Sequence, residues 1–129
     1  MLKIRKDQIQ TFDQIAEDRF VDKLIAYLKD KQSVWINGSP DNELRQRVRW
    51  GINRARSHGM TWESAIMKFV GLMFRIAPNF DEYPPISALL ARTDIPPDEL
   101  ADRLFSDISS EQWEAAMKRY DPAAWEFEE

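Results

Sequence analysis

The sequence predicts an all-α protein, a compact bundle of five or six helices, and three observations predict it. Apolar residues recur at three- to five-residue steps along most of the chain, the period of a helix that buries one side. Helix-start and helix-stop residues punctuate that pattern at short intervals. No stretch alternates apolar and polar residues convincingly enough to form a strand.

Taken in order, Ile9, Phe12, Ile15, Phe20, Leu24 and Leu28, widened by Val21 and Ile25, describe one long amphipathic helix over about residues 6–30. In KQSVWINGSPD, Asn37-Gly38 marks a turn. Ser39 suits an N-cap, Pro40 the first helical position, and Asp41 and Glu43 the positive end of a helix dipole. A second helix over about 40–57 then aligns Leu44, Val48, Ile52 and Ala55, and His58-Gly59 closes it, with the glycine left-handed and the histidine at the negative helix end.

Thr61 is expected to cap a third helix over about 62–76. Ile66, Met67, Phe69, Val70, Leu72, Met73, Phe74 and Ile76 leave this helix almost no polar side, so it is placed, shut off from water, at the centre of the bundle. Pro78 ends it, and the loop APNFDEYPP leads to a short fourth helix around Ile86–Ala91. A fifth begins at Pro96-Pro97, with Leu100, Leu104, Phe105 and Ile108 inward. Ser109 and Gln112 form a capping box for a sixth, along which Trp113, Ala116, Met117 and Tyr120 align. Residues 121–129 read as a flexible acidic and aromatic tail on a single helical domain, 1–129.

The bulk numbers exclude several function classes. The apolar share of 43% and charged share of 31% are those of a folded globular chain rather than a disordered one. With no cysteine there is no disulfide, zinc–thiolate site or thiol nucleophile, which suits a reducing cytoplasm. The start MLKIRKDQIQTF lacks the apolar core of a signal peptide. The most apolar run, IMKFVGLMFRIA, carries Lys68 and Arg75 and is too short to span a bilayer, so no membrane partner is expected. Charge is uneven: residues 1–43 net −1, 44–78 net +6 and 79–129 net −9. A basic middle beside an acidic end invites internal pairing, and nothing in the residues specifies an oligomeric state.

The segment RQRVRWGINRAR, residues 45–56, concentrates five of those basic groups. Turned at roughly 100° per residue, it places Arg45, Arg49 and Arg56 on one flank of the buried stripe and Arg47, Trp50 and Arg54 on the other. Three uses compete: a solvated or internally paired scaffold helix, a protein-docking ridge, and a phosphate-binding face. The Arg/Trp flank has the composition enriched at interface hot spots, so Arg47, Trp50 and Arg54 are candidate partner-binding residues. Trp125 joins them, because a large aromatic in a tail must either fold back or meet a partner; Trp35, in a loop, poses the same choice. Nucleic acid is disfavoured. RARSHGMTWESA has helix-turn-helix spacing, but the following helix is too apolar to enter a groove, and the net charge is negative.

Catalytic signals are weak. His58 is the only histidine and suits a helix C-terminus better than a ligand or catalytic role. Asp81-Glu82 is the most interesting acidic pair, yet adjacent loop acids are usually solvated, and general acid–base work needs environments that split their pKa values. There is no phosphate-cradling glycine loop and no nucleophile elbow. No catalytic residue, cofactor or metal is therefore expected.

The succession Gly51-Ile52, Ala55-Arg56, Gly59-Met60-Thr61, Leu72-Met73-Phe74 and Pro78-Asn79-Phe80-Asp81 resembles a group of small helical bacterial proteins encoded beside toxin effectors of contact-dependent antagonism, notably at type VI secretion loci. The resemblance spans roughly Phe12 to Leu90 and rests on packing and turn residues, so it carries over no functional site. It implies a cytoplasmic non-enzyme that binds a toxin, as an immunity protein or as a loading adaptor or chaperone. The leading expectation is thus a protein-binding module; the alternative is a nucleic-acid-associated regulator using the arginine-rich helix 44–57.

Overall fold

The structure, a computed structural model, describes residues 6–31 and 40–125, with side chains from Gln14 onward. The expected turn at Asn37-Gly38, the cap at Ser39, Trp35, the side chains of Ile9 and Phe12, and tail residues 126–129 lie outside the described residues. The chain is all-α. Among the described residues the helices are α1 (Lys6–Lys31), α2 (Asp41–Ser57), α3 (Glu63–Arg75), α4 (Pro84–Leu90), α5 (Pro97–Asp107) and α6 (Ser110–Lys118). Short 3₁₀ turns at Phe80–Glu82 and Pro122–Trp125 complete them.

The apolar stripe of α1 sets its contacts: Phe20, Val21, Leu24 and Leu28 are buried. Ile15, expected in that stripe, is exposed. Glu17 already pairs with Arg56 in the last turn of α2, so earlier residues of α1 run past the end of their neighbour. The ion pairs Arg56–Glu17, Arg49–Asp18, Arg45–Asp22 and Lys29–Asp41 run in opposite order along the two helices, which makes α1 and α2 antiparallel.

Leu44, Val48, Ile52 and Ala55 are buried as the period requires. The helix starts one residue later than expected. Pro40 is its N-cap, and its carbonyl accepts the N–H of Leu44 at 2.9 Å. At the other end Gly59 has φ +90°, donates to Arg56 O at 2.9 Å, and lets Met60 N–H reach Ala55 O at 3.3 Å, the paired bonds of a left-handed helix stop.

Against α2 lies α3, at the centre, in contact also with α1 and α5. Seven of its residues, Ala65, Ile66, Phe69, Val70, Gly71, Leu72 and Met73, are buried. The exclusion of water does not extend to Trp62, which is 57% exposed one residue before the helix begins. Nor does Thr61 cap α3: the N-cap position is Trp62, and the Thr61 hydroxyl is turned to Asp98 instead. The carboxylate of Asp98, in the first turn of α5, accepts Thr61 N–H at 2.6 Å, Trp62 N–H at 2.7 Å and the Thr61 hydroxyl at 2.7 Å. Burial pushes the Asp98 carboxyl up, but these donors outweigh it and hold it below the usual carboxylate range.

The fourth helix starts two residues early, because Pro84 and Pro85 occupy its first turn, where a missing N–H costs nothing. In α5, Leu100, Ala101 and Leu104 face inward, but Phe105, expected with them, is 51% exposed. It stands about 100° beyond Leu104 around the axis, at the edge of the buried arc. The capping box of α6 is present in both directions, with Gln112 N–H to Ser109 Oγ at 3.2 Å and Ser109 N–H to Gln112 Oε1 at 2.9 Å. Along that helix Ala116 is buried and Trp113 half-buried, whereas Met117 and Tyr120 are exposed.

Candidate functional site

The two arginine flanks of α2 serve different neighbours. Arg45, Arg49 and Arg56 reach across to α1: Arg45 to Asp22 at 2.7 Å, Arg49 to Asp18 at 2.8 Å, and Arg56 to both Glu17 oxygens at 3.0 Å. The opposite flank brings all four candidate partner-binding residues into one cluster. The Arg47 guanidinium sits 5.0 Å above the Trp125 ring and pairs with Glu43 at 2.6 Å. Trp125 packs at 5.9 Å on Trp50 and at 5.0 Å on Phe74, and its Nε1–H donates to the Tyr120 hydroxyl at 3.2 Å. Arg54 lies 5.5 Å over Trp50.

These contacts are intramolecular. Trp125 is only 7% exposed, and Pro122–Trp125 form a 3₁₀ turn, so the expected flexible tail does not begin at 121. Asn79 holds the approach to that turn. Its side chain donates to Arg119 O at 3.0 Å and accepts Asp121 N–H at 3.2 Å.

Arg54 leads to the buried charge. Asp81 is 4% exposed, which corrects the expectation of a solvated loop acid, while its neighbour Glu82 is exposed. Arg54 grips Asp81 with two bonds, Nε–Oδ2 at 2.7 Å and an Nη2–Oδ1 contact at 3.1 Å, and touches Glu82 at 3.4 Å. His58 Nε2 approaches the same Oδ2 at 2.8 Å; a carboxylate only accepts, so this nitrogen carries the proton. The histidine therefore ends α2 in position, but its ring is turned to Asp81 and packs at 5.4 Å on Phe69. Burial pushes the Asp81 carboxyl up; the bonds from His58 and Arg54 outweigh that and hold it below the usual range. An acid whose lone pairs are spent on a guanidinium and an imidazole N–H is suited to anchoring the Phe80–Glu82 turn rather than to moving protons. Among the described residues no group of three or more His, Asp or Glu is placed to hold a metal ion.

A second feature was not expected from the sequence. Between the end of α3, α5 and α6 lies an open groove of about 400 Å³, lined by apolar Leu72, Ile76, Phe105, Trp113 and Met117 together with Arg75, Ser110 and Glu114. Phe105 is 51% and Met117 40% exposed, so two large apolar side chains meet water beside the half-buried Trp113. The available signal was the position of Phe105 and Met117 one residue past Leu104 and Ala116, at the edges of their inward stripes. Periodicity treats an edge residue as core, and only the helix arrangement decides whether a neighbour covers it.

Comparison with known protein families, curated proteins and solved structures gives no match. The functional argument rests on the chain's own residues. Among the described residues no helix is long and apolar enough to cross a membrane. The groove exposes Phe105 and Met117 to water, whereas the Arg47–Trp50–Arg54–Trp125 cluster is already packed against itself.

Proposed function

We propose that the chain is a non-enzymatic, cytoplasmic protein-binding module, an immunity protein or a loading adaptor or chaperone for a secreted antibacterial toxin. The groove between α3, α5 and α6 carries the protein-binding part. Exposed Phe105 and Met117 around Trp113, edged by Arg75, have the aromatic, Met and Arg composition enriched in interface cores. The toxin class rests on the resemblance described above. The nucleic-acid alternative is not adopted, because all five arginines of residues 45–56 have carboxylate partners, three of them on α1.

The test is affinity capture from native cells with the wild-type chain and with Phe105→Asp. The wild type is expected to recover a stoichiometric protein partner, and the variant to lose it while keeping its unfolding midpoint, because Phe105 is half in water already. The partner expressed alone should arrest growth, and co-expression of this chain should relieve the arrest if it confers immunity. Recovery of no stoichiometric partner, or equal recovery by the variant, overturns the reading.

A further inference from the structure

We infer that Arg47, Trp50, Phe74 and Tyr120 form a slot for an aromatic side chain, which the chain's own Trp125 keeps closed. The partner it fits is a protein segment whose tryptophan takes the place of Trp125. The slot shares no residue with the groove between α3, α5 and α6, so it is a second docking face beyond the function proposed above.

What fills the slot defines its chemistry. The Trp125 ring has the Arg47 guanidinium 5.0 Å from its centroid, Phe74 at 5.0 Å and Trp50 at 5.9 Å, both ring pairs tilted. Its Nε1–H donates to the Tyr120 hydroxyl at 3.2 Å, and Tyr120 itself stays with the end of α6, its N–H bonded to Met117 O at 3.1 Å. A guanidinium beside a ring and a hydroxyl facing an N–H are partners that an indole uses and an aliphatic side chain does not.

The plug is separable from the bundle. Of residues 121–125 only Trp125 is buried; Ala124 is half-buried and the other three are exposed. The largest fully buried side chains all lie between Leu24 and Leu104, and the main helix contacts run among α1 to α5 without the Pro122–Trp125 turn. Two bonds of the Asn79 side chain, to Arg119 O and from Asp121 N–H, hold the base of the turn. A chain end held by one buried side chain opens locally at a cost well below that of global unfolding. Opening widens the exposure of Arg47, Trp50 and Phe74, half-buried with the plug in place, and these have the aromatic and arginine composition of interface hot spots. A partner's tryptophan and Trp125 exclude one another, so the partner's apparent affinity is its intrinsic affinity reduced by the fraction of chains that are open.

The probe is a labelled synthetic peptide of residues 120–129, YDPAAWEFEE, with a control peptide carrying alanine in place of the tryptophan. Binding to the full chain is read by fluorescence anisotropy. Trp125→Ala removes the plug and should bind the peptide at least about tenfold more tightly than wild type. Asn79→Ala keeps Trp125 but frees the base of the turn, and should bind about two- to tenfold more tightly, the range of one net hydrogen bond. Adding Arg47→Ala to Trp125→Ala should weaken the peptide about two- to fivefold, the range of an exposed cation–π contact. The alanine peptide should bind none of the chains.

If Trp125→Ala and Asn79→Ala melt cooperatively by circular dichroism yet bind the peptide no better than wild type, the inference is overturned. Equal binding of the alanine peptide overturns it as well. So does a Trp125→Ala chain without a cooperative melt, because the bundle would then require its plug. A wild-type dimer that Trp125→Ala abolishes, with no peptide bound by either, overturns the partner and gives the slot to exchange between copies.

Discussion

Asp81 has the least exposed charged side chain among the described residues, and both its partners reach water more than it does. Arg54 and His58 keep part of their surface wet, so removing Asp81 leaves two donors that solvent can still reach. Removing Arg54 strands a carboxylate in the interior. Arg54→Leu should therefore cost about 3–5 kcal/mol, and Asp81→Asn about 2–3 kcal/mol, compared by urea unfolding at neutral pH. A smaller cost for Arg54→Leu would contradict the assignment of Asp81 as the buried member. The pH dependence has a definite sign. The folded carboxyl lies below its unfolded value, so its contribution is complete above about pH 4, the unfolded-chain value, and is lost as pH falls from there through the folded value. The stability gap between wild type and Asp81→Asn should narrow on acidification over that window. None of this was legible in Phe-Asp-Glu-Tyr: two adjacent acids differ only in which one the 3₁₀ turn points at α2.

At the scale of elements, the crossing of α2 and α3 is governed by Gly51. A Cβ there would stand 3.1 Å from Met73 Sδ and 3.1 and 3.3 Å from the two γ-methyls of Val70, closer than side chains ordinarily approach. The thioether can shift, but a β-branched valine held in a helix cannot easily do so. Gly51→Ala should gain up to about 1 kcal/mol of helix propensity and lose about as much to crowding, leaving stability changed by less than about 1 kcal/mol. Gly51→Leu has no such offset and should destabilise by at least about 2 kcal/mol. Equal midpoints for the leucine variant and wild type would mean that the helices are not this close. The helix boundaries were largely readable from caps, prolines and Gly59. The cap on α3 was not, since Asp98 arrives from a different helix, nearly forty residues along the chain.

For the whole molecule, the question raised by the arginine-rich segment has a structural answer. One flank of α2 orients the helix on α1 through exposed ion pairs, and the other is covered by the end of the chain. Exposed pairs each contribute little stability, so the covering aromatics matter more. Trp125→Ala should destabilise the protein by about 3 kcal/mol, near the low end for a buried tryptophan because the site is at the rim of the core. It should also raise acrylamide quenching of the remaining tryptophans, since Trp50 loses its cover. An unchanged unfolding midpoint would place Trp125 in water and return it to the surface. Among the described residues the basic middle and acidic end meet through Arg54 with Asp81 and Glu82 and through Lys68 with Asp102; the other flank turns to α1.

By itself the order of residues determined the all-α class, the helices and the central place of α3. Period and capping are local properties, set within a few residues along the chain. Tertiary structure alone decided which carboxylates Arg45, Arg49, Arg54 and Arg56 meet, that Trp125 folds back on Trp50 and Phe74, and that Phe105 and Met117 open onto a groove. Each of these depends on what a distant helix places beside an edge residue, and no spacing within one helix encodes its neighbour's approach.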